Sequence, residues 1–331
     1  MPAYSSKITV LKCANLLLAR YQQQQASELL MVLSILIPTY NFSIVALVRA
    51  LHEQGEQNGD DFFEIIVLDD GSTAQTKQHN RVIASLPQVE YEELPRNLGR
   101  SAIRNALAQR AKGTYLLFMD CDAAVVDKQY LARYIAILHP QQLLYGGRIY
   151  TAMPPSEAAF YFHWRYGSIR EQTTATHRRQ RPYHSFMTNN FLIPKAIFER
   201  LGGFDERLKK YGHEDTVFGL ALQQQRIPIV HLDNPLVHIG LESTDTFLRK
   251  TRQGIENLQF LATAYPELDT RLLRIFRKVR YYRLTPLLGF LFGCTRRWLE
   301  YHFHTRQPLM WLFDIYKLGL LCSVAQDVEK E

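Results

Sequence analysis

Asp120-Cys121-Asp122 directly follow an apolar run, Tyr115-Leu116-Leu117-Phe118-Met119. A strand sends residues two apart to the same side, so both carboxylates can share a face at the strand's end. Such a pair makes a hard oxygen site for Mg²⁺ or Mn²⁺. An ion there would bridge diphosphate oxygens and neutralise a leaving nucleoside diphosphate. A solvated acidic turn is the alternative, and the buried character of the preceding run disfavours it. Asp69-Asp70-Gly71-Ser72 closes a second apolar run. A carboxylate there can accept from a nucleobase N–H, although a plain turn capped by Ser72 explains it equally well. Pro38-Thr39-Tyr40-Asn41 closes a third run and can stack on or contact a base, or simply end a strand.

Other residues extend the pattern. Asn97-Leu98-Gly99-Arg100 precedes a helical stretch holding Arg104. Arginines at a helix start can meet phosphates, or be ordinary surface charge. Glu214-Asp215 opens a helix after Tyr211-Gly212-His213. Capping and the helix dipole favour acids there; the functional reading is a general base that deprotonates a hydroxyl. His238 is a candidate third metal ligand, or a structural histidine.

The elements that must position these residues alternate. Short apolar runs predict strands at 32–37, 63–68, 88–92 and 115–119. Helical spacing falls near 43–54, 74–85 and 98–111. Such alternation implies a parallel α/β sheet with helices on both faces, and ligands at the carboxyl ends of the strands. The polar clusters sit at those ends. Beyond them come a strand-turn at Gly146-Gly147 and an aromatic helix near 157–170. A basic loop at 171–185, a strand after Asn189-Asn190, a short helix at 195–201 and a helix at 242–263 follow.

Taken in order, six segments resemble family 2 inverting glycosyltransferases of the GT-A fold. They are Ile37-Pro38-Thr39-Tyr40-Asn41, Asp69-Asp70-Gly71-Ser72, Asn97 to Asn105, Asp120-Cys121-Asp122, Gly202-Gly203-Phe204-Asp205-Glu206 and Glu214-Asp215. The second half looks like the galactosyl- and N-acetylgalactosaminyl-transferring branch, chondroitin-type polymerases included. The resemblance implies a mixed, mostly parallel GT-A sheet flanked by helices, and a nucleotide-sugar donor, UDP-linked by expectation. It implies Mn²⁺ or Mg²⁺ on Asp122 and His238, with Asp120 on the metal or on the ribose and sugar side. Pro38, Tyr40 and Asp70 would hold the base, and Arg100 or Arg104 would approach base or phosphate. Asp215 would be the base, with Glu214 beside it. Gly202, Gly203, Phe204 and Asp205 would wall the acceptor, a glycan or lipid-linked glycan. Tyr211-Gly212-His213 departs from the family's Trp-Gly or Gly-Gly pair, which bears on acceptor identity.

The resemblance sets out an N-terminal extension at 1–30, helical or disordered, with Met31 as a possible start. A catalytic domain follows at 31–240, with a nucleotide-binding half at 31–125 and an acceptor half at 140–240. A basic helical region at 241–331 completes the chain. With 331 residues, 47% apolar and 21% charged, the chain can build one large core. The net charge of +7 suits phosphate-bearing ligands or an anionic surface. Between Thr270 and Arg306, nine Lys and Arg face one acid, Glu300. Leu272, Ile275, Phe276 and Val279 share a face there, the pattern of an interfacial helix, with packing of Leu284–Cys294 on the domain as the alternative. No recognised nucleic-acid module accompanies the charge.

The four cysteines fit no zinc or disulfide spacing, and no run is long enough to span a bilayer. An apolar run at 8–18 lacks a following cleavage site. The expectation is a cytosolic enzyme, peripheral on the inner face of the membrane. Two rivals are a sugar-1-phosphate nucleotidyltransferase, which lacks its glycine-rich loop here, and a non-catalytic glycan- or membrane-binding protein.

Overall fold

The computed structural model describes residues 32–59, 62–208 and 211–328. The extension expected at 1–30 lies outside the described residues. The strands are β1 (Leu33–Thr39), β2 (Phe63–Asp69), β3 (Val89–Glu93), β4 (Tyr115–Met119), β5 (Ala123–Ala124), β6 (Leu143–Tyr145), β7 (Arg148–Ile149), β8 (Asn190–Pro194), β9 (Ile229–His231) and β10 (Leu236–His238). Seven form one sheet in the order β3-β2-β1-β4-β8-β6-β9. β3, β2, β1 and β4 are parallel, as alternation predicted. β8 is antiparallel to both β4 and β6, and β6 runs parallel to β9. The sheet is therefore mixed and mostly parallel.

β1, β2 and β4 read as continuous apolar runs because both their faces are covered. Ile35, Val67 and Leu117 point into one core with Val48 and Leu51 of the Val45–Glu56 helix. Leu36, Ile66 and Phe118 point into the other with Ile103 and Leu107 of the Arg100–Arg110 helix. Phe118 stacks on Phe191 at 4.9 Å between ring centres.

Three expected elements are more broken than their spacing suggested. The 74–85 stretch is an α-helix only over Ala74–Asn80, then a 3₁₀ turn over Arg81–Ser85. The aromatic helix passes from a 3₁₀ turn through Tyr161–Tyr166 to a π turn at Gly167–Glu171. The basic 171–185 loop holds a helical turn, Ala175–Arg178, whose Arg178 is buried and donates to the carbonyls of Gly146 and Leu232.

The smaller sheet, β5-β10-β7, lies beside the carboxyl end of β4 and carries little core of its own. Its value is positional. His238 pairs with Ala123, and Arg148 pairs with Leu236. This register brings the residue after β4's acidic end, a histidine 116 positions later, and an arginine to one place.

Helices Thr244–Ala264, Arg271–Tyr281, Thr285–Phe303 and Met310–Val328 build a third apolar cluster. Phe162, Leu208 and Val217 join it, so the helical region is packed on the sheet domain. This corrects the interfacial reading of 271–283. Leu273 and Phe276 are buried in the cluster and Leu272 and Val279 pack against it; only Ile275 of the amphipathic face stays exposed. Among the described residues no helix is long and apolar enough to cross a membrane.

Candidate active site

β1, β2 and β4 run the same way, so their polar ends meet at one sheet edge. There they border a cavity of about 850 Å³ that Pro38, Tyr40, Asp70, Arg100, Arg104, Asp120 and Asp122 all line. Asp69 is the scaffold of this edge. Its carboxylate accepts from the Ser72 amide at 2.7 Å and the Tyr91 hydroxyl at 3.2 Å. Ser72 Oγ in turn accepts from the Asn41 amide at 2.7 Å, which joins the first two loops. Gly71 has φ +79°, and a Cβ there would lie 3.0 Å from the Arg96 and Asn97 backbone. Only glycine suits both demands. Asp70, next to it, accepts from the Leu98 amide at 2.6 Å and the Gly99 amide at 3.2 Å. Burial nevertheless pushes its carboxyl above the ordinary range. Tyr40 is half exposed at the cavity's rim.

Behind this edge lies a network of charges. Arg104, only 2% exposed, donates to Asp120 Oδ1 at 2.6 Å. Arg148 donates to Asp120 Oδ2 at 2.9 Å. Arg100 donates to Glu214 Oε1 at 2.5 Å and reaches Asp120 at 4.0 Å. Its guanidinium also sits over the Tyr211 ring. Arg148 further faces Glu171 at 3.6 Å. Both oxygens of Asp120 are thus held by guanidinium groups, which disfavours the metal-ligand expectation for this residue. A second cation would have to displace an arginine from a site where the pair is already charge-matched.

The sequence reading missed Arg148 and Glu171. Arg148 begins a two-residue strand, too short for any periodic signal. The only hint was the Gly146-Gly147 pair before it. Gly147 has φ +92°, and a Cβ there would strike the Arg178 guanidinium.

Asp122 and His238 are treated differently. Asp122 Oδ1 and His238 Nδ1 face each other at 3.4 Å. Both atoms, and His238 Nε2, are buried without a hydrogen bond. Burial opposes ionisation of Asp122, but His238, Arg148 and Arg100 outweigh it and hold the carboxyl well below the usual range. The backbone sets the approach: the Ile239 amide donates to the Asp122 carbonyl at 2.9 Å. Gly240 leaves room for the side chain, since a Cβ there would lie 2.4 Å from Asp122 Cβ and 2.7 Å from Oδ2. Among the described residues no group of three or more His, Cys, Asp or Glu is placed to hold a metal. Asp122 and His238 are two donors of the right chemistry with unused atoms.

Glu214 and Asp215 open the Glu214–Gln224 helix. His213 before them has φ +72°, rare for a residue with a Cβ. Asn257 holds this turn by donating to the Tyr211 carbonyl at 3.1 Å and the Gly212 carbonyl at 3.2 Å. Burial raises Glu214, but Arg100 and Arg104 outweigh it and keep the carboxylate ionised. Asp215 is the opposite. Burial, then the neighbouring Glu214 charge, push its pKa up to about 6. It accepts from its neighbour's Thr216 amide at 2.7 Å, and among the described residues it makes no ion pair.

Asp215 opens onto a second cavity of about 390 Å³, which shares Arg100, Asp120, Tyr211, Glu214 and Lys250 with the first. Leu272, Phe313 and Lys317 of the C-terminal helices complete its wall, and His213 borders it. Gly202, Gly203, Phe204 and Asp205 do not. They line a separate recess of about 230 Å³. Asn105 clamps Phe204 there, accepting from its amide at 2.8 Å and donating to its carbonyl at 2.9 Å. Asp205 is tied to Arg207 and Tyr265, which hold its pKa down to about 2. Phe204 acts from beneath, its ring under the Arg104 guanidinium at 5.8 Å.

Residues 34–202 match the family described as Glycosyl transferase family 2. The chain belongs to that family. It is 27% identical over 226 residues to validoxylamine A glucosyltransferase from Streptomyces hygroscopicus subsp. limoneus, covering 60% of this chain and 49% of that one. It is 24% identical over 223 residues to chondroitin synthase from Escherichia coli, covering 58% and 32%. The chain spans about half the length of the first of these relatives. The crystal structure of S. aureus TarS 1-349 superposes with a TM-score of 0.50 at 18% identity, covering 91% of this chain and 92% of that one. That likeness is one of fold. The family match ends at residue 202, before Glu214, Asp215 and His238.

The charge network generates one prediction. Arg104→Met should cost roughly 3 kcal/mol of stability, because a buried carboxylate loses its best partner. Chemical denaturation reads this directly. An unchanged midpoint would mean that Arg104 does not hold the site together.

Proposed function

We propose that the protein transfers a hexosyl or N-acetylhexosaminyl group from a nucleotide-sugar, a UDP-sugar by expectation, to a glycan or lipid-linked glycan with inversion at the anomeric carbon. The observation that carries this is the split between adjacent acids. Glu214 is clamped and ionised by Arg100, whereas Asp215 has no cationic partner among the described residues and opens onto the second cavity. A base needs a lone pair that no cation holds and a pKa near the working pH.

The larger cavity suits the donor. Asp70 stands where its carboxylate's remaining acceptor capacity can meet a base N–H, with Pro38 and Tyr40 at the rim. Asp122 and His238 would hold a divalent cation, Mn²⁺ or Mg²⁺, with phosphate and water oxygens as its other ligands. When bound, that ion supplies charge stabilisation for the leaving diphosphate. Asp120 stays with Arg104 and Arg148 and fixes the floor between the two cavities. Asp215 takes the proton from the acceptor hydroxyl as that oxygen attacks. The fixed negative charge of Glu214 keeps it basic. The smaller cavity, aromatic at Tyr211 and Phe313, suits the acceptor.

Two outcomes are expected. Asp215→Asn should lower kcat by about 100-fold or more while donor Kd stays within about three-fold, since general base catalysis contributes that much. In the parent enzyme kcat/KM should rise with pH through about 6 and then level, because Asp215 accepts a proton only when ionised and its pKa is raised to about 6. Parallel loss of turnover and donor binding, or a profile flat down to pH 5, would sink the assignment. Separately, Gly240→Ala should push the Asp122 carboxylate aside and weaken Mn²⁺ binding in the presence of UDP by about ten-fold or more. Calorimetry measures it, with circular dichroism as the check on folding. Undiminished Mn²⁺ affinity would remove Asp122 from the metal site.

A further inference from the structure

The Thr285–Phe303 helix buries Gly289, Phe292, Leu299 and Phe303 against the third core cluster. Its opposite face is not polar. Leu287, Phe290, Leu291, Trp298 and Tyr301 fall at helical spacing along about four turns and are 46% to 75% exposed. A helix on the surface of a soluble domain ordinarily presents charged or polar residues there. A stripe this long and apolar marks a docking surface.

Its surroundings say what docks. Tyr281, Tyr282 and Arg283 are exposed in the turn that leads into the helix, and Arg297 lies at the edge of the stripe. Aromatic and cationic residues bordering an apolar face fit the interface between lipid headgroups and acyl chains. The one acid between Thr270 and Arg306, Glu300, is neutralised by Arg296 at 2.8 Å. The surface is thus basic, which complements anionic lipid and opposes a second copy. Pairing two such faces would set like charges together.

We propose that the outer face of the Thr285–Phe303 helix seats the protein on an anionic membrane surface, lying in the headgroup plane rather than spanning the bilayer. The preceding Arg271–Tyr281 helix, whose pattern looked interfacial, is instead the internal strut that holds it. Its Leu273 and Phe276 are spent on the core. The proposal is independent of the glycosyl-transfer reading, because it concerns a surface that lines neither cavity.

Flotation of the full chain with phosphatidylglycerol–phosphatidylcholine vesicles tests it, with pure phosphatidylcholine vesicles alongside. The full chain should float with the anionic vesicles and partition at least about ten-fold less onto the neutral ones. The double variant Phe290→Ser, Trp298→Ser should lose anionic-vesicle partition by about ten-fold or more, since each ring inserted is worth that order. Its circular dichroism and melting temperature should match the parent's, as both side chains face outward. Three results would overturn the proposal: no flotation of the parent chain, equal flotation of the double variant, or a lipid-free dimer that the double variant dissolves. The last would assign the stripe to a second copy.

Discussion

The site depends on one buried set of charges: Arg104 and Arg148 on Asp120, and Arg100 on Glu214. These groups come from the end of β4, the Arg100–Arg110 helix, β7 and the Glu214–Gln224 helix. Each ion is costly to bury alone and is retained only because its partners are in place. The network therefore fixes the nucleotide half of the sheet against the acceptor half. It also decides what the neighbouring acids do. Glu214 is committed to a cation; Asp215, one residue on, is left with the field of that carboxylate and little solvent, and its proton affinity rises. Asp120 is committed too, so its near neighbour Asp122 is the acid with an unused buried oxygen.

The smaller sheet is the second constraint. Three very short strands set Asp122, His238 and Arg148 side by side through backbone register alone. Gly240 finishes the arrangement by leaving the space that the Asp122 side chain occupies. Beyond the sheet, the C-terminal helices both close the cavity at Asp215, through Leu272 and Phe313, and turn an apolar stripe outward.

The larger part of the fold was legible because long buried strands leave continuous apolar runs. β1 to β4 and the helices between them follow from such runs and from helical spacing. The polar ends of those strands were legible for the same reason, since parallel strands end together at one edge. What was hidden lies in elements too short to carry a period. β7 has two residues, and its Arg148 has no pattern around it. Gly202-Gly203-Phe204-Asp205 misled for a different reason. The segment matches the family pattern but is turned away from the acceptor cavity by Asn105 and by the Arg207 and Tyr265 contacts of Asp205. The Arg271–Tyr281 helix shows a further limit of periodicity: an amphipathic face announces that something apolar covers it, but not whether that is lipid or the protein's own core.

The central claim is that Asp215 directs a single in-line displacement, with no sugar attached to the enzyme along the way. Proton NMR of the product formed from an α-linked UDP-sugar in the presence of Mn²⁺ tests it most directly. The anomeric coupling of the newly transferred residue should report a β-linkage. An α-linked product would contradict single displacement and the role assigned to Asp215.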